Sequence, residues 1–157
     1  MRPKNAASIA ILLGACLSAP AWAGGPFQVT SIVPCRVFDT RTVGPQTNGQ
    51  PLTNPGPHFF RIQGYCGVPD GAQAVTLNLT IVAPSQAGDM RLYPANISPG
   101  LNDPSTINYP GGIVLANGAL LALAPVTLST DNDIQIVIGM QASGTVHAII
   151  DVTGYVQ

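Results

Sequence analysis

The chain contains no glutamate, one lysine (Lys4) and one tryptophan (Trp22), and charged residues make up only 8% of its 157 positions. Each shortage excludes something. Glu and Lys ordinarily fill the exposed faces of helices, so a chain nearly devoid of both has little material for an amphipathic helix. Its abundant Thr, Val, Ile, Gly, Pro and Asn favour strands and turns instead. With six cations against seven acids, the electrostatic footprint of a nucleic-acid binder is missing. Long apolar runs are scarce too: Ala6 to Leu17 spans 12 residues, short of the ~20 that cross a bilayer. No membrane span is expected.

What is present begins with that run. Arg2 and Lys4 precede it and Pro20-Ala21-Trp22-Ala23 follows, giving a charged end, an apolar stretch and a small-x-small cleavage site. This layout is that of a secretory signal peptide. It predicts residues 1–23 as signal and 24–157 as one domain, secreted or held at the cell surface or in the periplasm. A second reading takes Leu13-Gly14-Ala15-Cys16 as a lipoprotein signal, with Cys16 lipidated rather than removed. Cleavage after Ala23 would leave four cations, Arg36, Arg41, Arg61 and Arg91, against seven aspartates.

It would also leave two cysteines. Cys35 and Cys66 form an even pair in an exported chain, and a disulfide between them is the expectation. Its loop of about 30 residues is worth roughly 3.5 kcal/mol in the chain-entropy model. A metal or redox role would need a CxxC spacing or a nearby histidine pair, and the chain has neither.

Apolar alternation sets the fold class. Val75, Leu77, Leu79 and Ile81 alternate with Thr76, Asn78 and Thr80, which is a half-buried strand. Ile134, Ile136 and Ile138 repeat the pattern. From Thr145 to Tyr155 both faces carry apolar residues, as on a central strand. Further strands are expected at Phe27–Val33, interrupted by Pro34, and at Cys35–Thr40, His58–Ile62, Met90–Tyr93 and Ser105–Tyr109. Thr42 to Pro57, rich in proline and glycine, reads as a long surface loop, either functional or a tolerated insertion. Ile113 to Ala124 is ambiguous: Asn117-Gly118 signals a hairpin, Leu120 to Leu123 suits a short helix, and length with Pro125 favours strand. The sum is all-β: a single-domain antiparallel β-sandwich of about nine strands with one disulfide.

The densest chemistry lies in Pro34 to Arg41, which holds a cysteine, an acid and two arginines. A buried carboxylate is costly unless paired, so Asp151 on the central last strand calls for Arg36 or Arg41. Arg36, Asp39, Arg41 and Asp151 are therefore expected to be a structural ion-pair set. Asn78, Thr80, Asn108 and Asn117, with Tyr109 and His147, are the candidates for a polar binding groove. The competing reading is that buried Asn and Thr satisfy backbone groups. His147 and Asp151 lie four apart on one strand face, ~13 Å when extended, and cannot touch. No G-x-S-x-G or H-E-x-x-H motif occurs, and no catalytic residue is assigned, although a site built on His147 or His58 from distant strands would escape such a search. Asp131-Asn132-Asp133 could offer oxygens to calcium but lacks the glycine and glutamate of an EF-hand, and an Asx-turn is the expectation. No metal or cofactor is expected.

Several of these stretches together resemble a module of secreted bacterial proteins. They are Pro34-x-Arg36-x-x-Asp39-Thr40-Arg41, Gly67-Val68-Pro69, Leu77-Asn78-x-Thr80, Leu92-Tyr93-Pro94, Ser105-Thr106-x-Asn108-Tyr109 and Val146-His147-x-Ile149-x-Asp151-Val152-x-Gly154-Tyr155. The module is found singly, in tandem, or appended to cell-wall hydrolases and other exported enzymes. The resemblance runs in order over nearly all of residues 24–157. It implies an exported β-sandwich that is not the catalytic part of its hosts. Many members lack cysteines at the positions of Cys35 and Cys66, so the disulfide rests on this chain alone. The functional expectation is a non-enzymatic secreted module that binds or self-associates, its partner a second copy or an extracellular polymer. The alternatives are a glycan- or cell-wall-binding module and, behind it, a hydrolase.

Overall fold

The computed structural model describes residues 27–157 apart from 55, 101–102, 129–130 and 141–142. The expected signal segment and Cys16 lie outside the described residues, as do 24–26. Among the described residues there are eleven strands and no helix. In chain order they are β1 (Val29–Asp39), β2 (Val43–Gly44), β3 (Thr47–Asn48), β4 (Leu52–Thr53), β5 (Pro57–Phe60), β6 (Ala74–Val82), β7 (Gly88–Pro94), β8 (Ile107–Tyr109), β9 (Val114–Ala122), β10 (Ile134–Met140) and β11 (Thr145–Val156).

Two antiparallel sheets face each other. One runs β1-β11-β6-β9, with β4 also paired to β11, and the other runs β5-β10-β7-β8. Strict alternation fixes which residues meet between them. Val75, Leu77, Leu79 and Ile81 of β6 are buried while their neighbours are half-exposed. They join Val146, Ala148, Ile150 and Val152 of β11 in one core with Met90, Leu92, Ile107, Ile134, Ile136 and Ile138 of the second sheet. Phe38 of β1 stacks on Phe60 of β5, ring centroids 4.0 Å apart and planes 12° off parallel, which ties the sheets at one side. Such a pair adds about 0.5–1.5 kcal/mol beyond the area it buries. β11 is central, between β1 and β6. That is why Ile149 is buried even on the face turned away from the core.

Three expectations need revision. The strand count is higher because the segment 42–57 is not a featureless loop: it holds the β2–β3 hairpin and then β4, whose Leu52 and Thr53 pair with Val146 and Thr145. β4 thus takes the place beside β11 that β1 vacates after Asp39. Pro34 does not divide the first strand; β1 continues through it, with register shifts between Ser31 and Cys35 and again between Arg36 and Phe38. Asn117-Gly118 makes no hairpin either. β9 runs straight through it, because all nine residues are paired to β6 and tertiary pairing overrides the local turn preference.

β11 carries one bulge at Thr153, where the register to β6 shifts between Val152 and Gly154. Gly154 is needed there, since a Cβ would lie 2.8 Å from both Thr30 O and Thr76 Oγ1. The disulfide joins β1 to the turn before β6, Cys35 to Cys66, with Cα atoms 5.7 Å apart.

Candidate functional site

The segment from Arg36 to Arg41 builds a set of linked ion pairs between β1 and β11. β1 pairs with β11 so that Arg36 sits opposite Asp151 and Asp39 opposite Ile149. Arg36 donates from Nε to Asp151 Oδ1 at 2.8 Å and from Nη2 to Oδ2 at 3.1 Å. Asp39, buried, accepts from Arg41 Nε at 2.9 Å, Arg41 Nη2 at 2.6 Å and the Arg41 backbone N–H at 3.0 Å, with Arg36 Nη1 at 3.5 Å. The Arg41 hydrogen bonds hold the Asp39 carboxyl below its ordinary range against the opposing effect of burial. Every charge in this set is answered by a charge in the same set. The arrangement locks β1 to β11.

Thr40 and His147 extend it. The Thr40 hydroxyl accepts from Ala148 N–H at 3.0 Å and lies 3.0 Å from His147 Nδ1. A hydroxyl beside an imidazole suggests a nucleophile and base, but Thr40 is 2% exposed, out of reach of a substrate. His58 Nε2 donates to Thr53 O at 2.8 Å, tying β5 to β4. Among the described residues no three His, Cys, Asp or Glu side chains are grouped as a metal site.

The six candidates for a polar groove are not brought together. Asn78 and Thr80 lie on the outer face of the first sheet, bonded to each other at 3.0 Å. Asn117 points the other way, donating to Thr106 O at 2.7 Å. Asn108 sits on β8 opposite Asp89 of β7. Tyr109 is buried in the core with its hydroxyl donating to Asp89 O at 3.2 Å, and burial pushes its pKa up to about 12. His147 is at the β1–β11 clasp. Strand alternation scatters these residues over three surfaces, and the side chains of Asn78, Thr80, Tyr109, Asn117 and His147 bond to the backbone or to a neighbouring side chain.

Three polar residues to which the sequence reading gave no structural role of this kind, Arg61, Gln63 and Asp133, hold one end of the sandwich together. Arg61, just after β5, donates to Gln63 O at 2.9 Å, Leu128 O at 2.7 Å and Asp70 Oδ1 at 3.0 Å. Its backbone N–H and C=O exchange bonds of 2.6 and 2.8 Å with the Gln46 amide. Gln63, fully buried, donates to Ala124 O at 3.0 Å and accepts from Gly71 N–H at 2.7 Å. Asp133, also fully buried, accepts from Ile62 N–H at 2.8 Å and Gln63 N–H at 2.7 Å. Desolvation raises the Asp133 pKa, partly offset by those two N–H groups. The neighbouring Asp131 instead caps its own loop, one oxygen accepting from Thr127 N–H, Thr127 Oγ1 and Leu128 N–H. The two acids of the expected Asx-turn thus face different partners.

The outer face of the second sheet forms a groove of about 640 Å³. Val137 and Gly139 of β10 and Arg91 of β7 make its floor, with Phe59 and Ile97, both 47% exposed, among its lining residues. Gln135 is buried beneath the loop after β7, its amide donating to Pro94 O at 3.0 Å and to Ile97 O. Asp89 lies beside Arg91, Oδ1 to Nε 2.9 Å, and its carboxylate occupies the space that a Cβ on Gly139 would need. Phe59, Arg91 and Gln135 were not among the sequence candidates. Their signal was only that each is the out-of-phase residue of an apolar strand.

The third surface is β9. It is the last strand of the first sheet, and Val114 and Leu120 are each 68% exposed while Ala116, Gly118 and Ala122 lie open as well. From Pro110 to Val126 the chain carries no charged residue.

No family model, curated protein or solved structure matches this chain. Among the described residues no helix is long and apolar enough to cross a membrane, and the disulfide suggests a non-cytoplasmic environment.

Proposed function

We propose that this protein is an exported, non-catalytic module that acts at the cell surface or in the extracellular space by association, chiefly with copies of itself. The observation that carries the reading is β9: a nine-residue, uncharged, exposed strand on the edge of a sheet. Natural sheets usually blunt such an edge with charge, proline, bulges or shortness, because unpaired N–H and C=O groups recruit another strand. Export is supported by the signal-type leader of residues 1–23 and by the disulfide. Charges answered within the clasp, and histidines bonded to a buried hydroxyl and a backbone carbonyl, fit a module without chemistry of its own. Size-exclusion chromatography with light scattering over a concentration series tests it: mass should rise with concentration, and a constant monomer mass throughout would overturn it.

A second reading is favoured by one observation, the groove on the second sheet. An open trough with an exposed aromatic ring, an arginine and amide groups suits a sugar chain, making the module a binder of cell-wall or exopolysaccharide glycan. Pull-down on peptidoglycan and a glycan array would detect it, with Phe59→Ala abolishing the signal; absence of binding in both removes it.

A further inference from the structure

The ladder between β9 and β6 dictates which way each backbone group of β9 points. Ala83 N–H donates to Ile113 O and Leu123 N–H donates to Gln73 O, and the register between those two points is unbroken, from Val82 opposite Val114 to Ala74 opposite Ala122. In an antiparallel pair, hydrogen-bonded residues alternate with non-bonded ones. Residues 113, 115, 117, 119, 121 and 123 therefore point their N–H and C=O at β6. Val114, Ala116, Gly118, Leu120 and Ala122 point theirs outward, along an edge that no described strand covers.

From this we infer that a second copy of the chain pairs with β9 antiparallel about a two-fold axis at Gly118, joining the two first sheets into one. The inference rests on the self-association reading and names its contact. Three features fit this occupant and register. With Gly118 opposite Gly118 of the other copy, outward residues meet outward residues: Ala116 faces Leu120 and Val114 faces Ala122. Five N–H groups from each copy then find five C=O groups of the other, up to about ten hydrogen bonds, which matches the ~10 ± 5 of a typical specific interface. Shape agrees as well, because on the outer face every larger side chain, Leu120 or Val114, is opposite an alanine, and on the inner face Leu115 meets Leu121. A two-fold contact requires such self-complementarity.

Gly118 explains itself in this position. A glycine inside a strand often marks close approach of another backbone, and the Asn117-Gly118 pair, a hairpin signal that makes no hairpin here, places that glycine at the axis. The other sheet edges point to β9 by contrast. β1 carries Pro34, Arg36 and two register shifts; β5 is four residues long and starts with a proline; β8 is three residues long. Of these four edges, β9 alone is long, regular and uncharged.

Outward N–H groups can be removed without touching the β6 ladder, and this makes the test specific. Ala116→Pro deletes an outward donor, a substitution that an edge strand tolerates, whereas Leu120→Lys places a charge against Ala116 of the other copy. Sedimentation velocity across a concentration series, with circular dichroism to verify the fold, should show both variants folded and about tenfold or more weaker in association. The double variant Ala116→Glu with Leu120→Lys should recover about three- to tenfold over Leu120→Lys alone, since the new pair forms twice across the axis. Within one copy those residues are ~13 Å apart and gain little from each other. If the unaltered protein stays monomeric, the self-association reading falls. If it associates but the single variants do so equally well, or the double variant shows no recovery, the β9 contact is wrong while that reading stands.

Discussion

Removing the Asp133 carboxylate tests whether burial or the number of hydrogen bonds sets the worth of an acid in this fold. Asp133 is fully buried and accepts two backbone N–H groups, from Ile62 and Gln63. Asp131, two residues earlier and nearer the surface, accepts three hydrogen bonds. In Asp133→Ala both N–H groups lose their acceptor where water cannot replace it, at about 1–3 kcal/mol each, so the loss should be about 2–6 kcal/mol. That is a large share of the ~5–15 kcal/mol that holds a domain folded. Asp131→Ala frees three donors that water can reach and should cost less, about 1–2 kcal/mol, as for other caps. Asp133→Asn should resemble Asp133→Ala, because its amide nitrogen has no lone pair to offer the second N–H. Urea denaturation at neutral pH measures all three. The pH dependence gives a further check. Burial raises the Asp133 pKa, so its titration contributes stability that is complete below the unfolded value and is lost as pH rises through the folded one. The deficit of Asp133→Ala should therefore widen on acidification. Asp131→Ala proving as costly as Asp133→Ala, or Asp133→Asn proving as stable as the unaltered protein, would refute the reasoning.

Asp39 should behave with the opposite sign. Its pKa is lowered, first by the Arg41 hydrogen bonds, so its stabilisation is complete above the unfolded value and disappears as pH falls through the folded one; Asp39→Asn should be less stable at neutral pH yet lose less between about pH 5 and pH 2, read from denaturation midpoints. Replacing Cys35 and Cys66 with Ser opens a loop with sequence separation 31, and the denaturant midpoint should fall by the equivalent of about 3.7 kcal/mol. Gly139→Ala should displace the Asp89 carboxylate from beside Arg91; a lowered melting temperature with altered Arg91 side-chain NMR signals is expected, and an unchanged spectrum would contradict it.

Periodicity made much of this fold legible. β6, β10 and β11 alternate so cleanly that their inner faces could be assigned from residue types, and Cys35 with Cys66, an even pair once Cys16 is set aside, pointed to the disulfide. Asp151 was legible for an energetic reason: an acid on a central strand must be paired, and few cations were available. By the same logic Arg61 was findable, since each of four arginines in an acid-rich domain needs an account, yet its partners are mostly backbone carbonyls from loops distant in sequence. Asn117-Gly118 misled because turn preference is local, whereas nine residues of pairing to β6 are not. The groove was hidden for a related reason. Phe59, Arg91 and Gln135 come from three strands whose adjacency is set by sheet order, β5-β10-β7, which the pattern of any single strand does not encode.

The pairing of β1 with β11 also has a consequence in time. Val29 and Thr30 pair with Val156 and Tyr155, and Arg36 reaches Asp151 across a separation of 115 residues. During synthesis the first strand thus waits unmatched until the final one emerges, and the strand that both sheet neighbours need, β11, is the last of the described strands to be made. Contacts this remote are slow to close. The first sheet can therefore close only after β11 has been made, so its completion is a late event in the chain's synthesis.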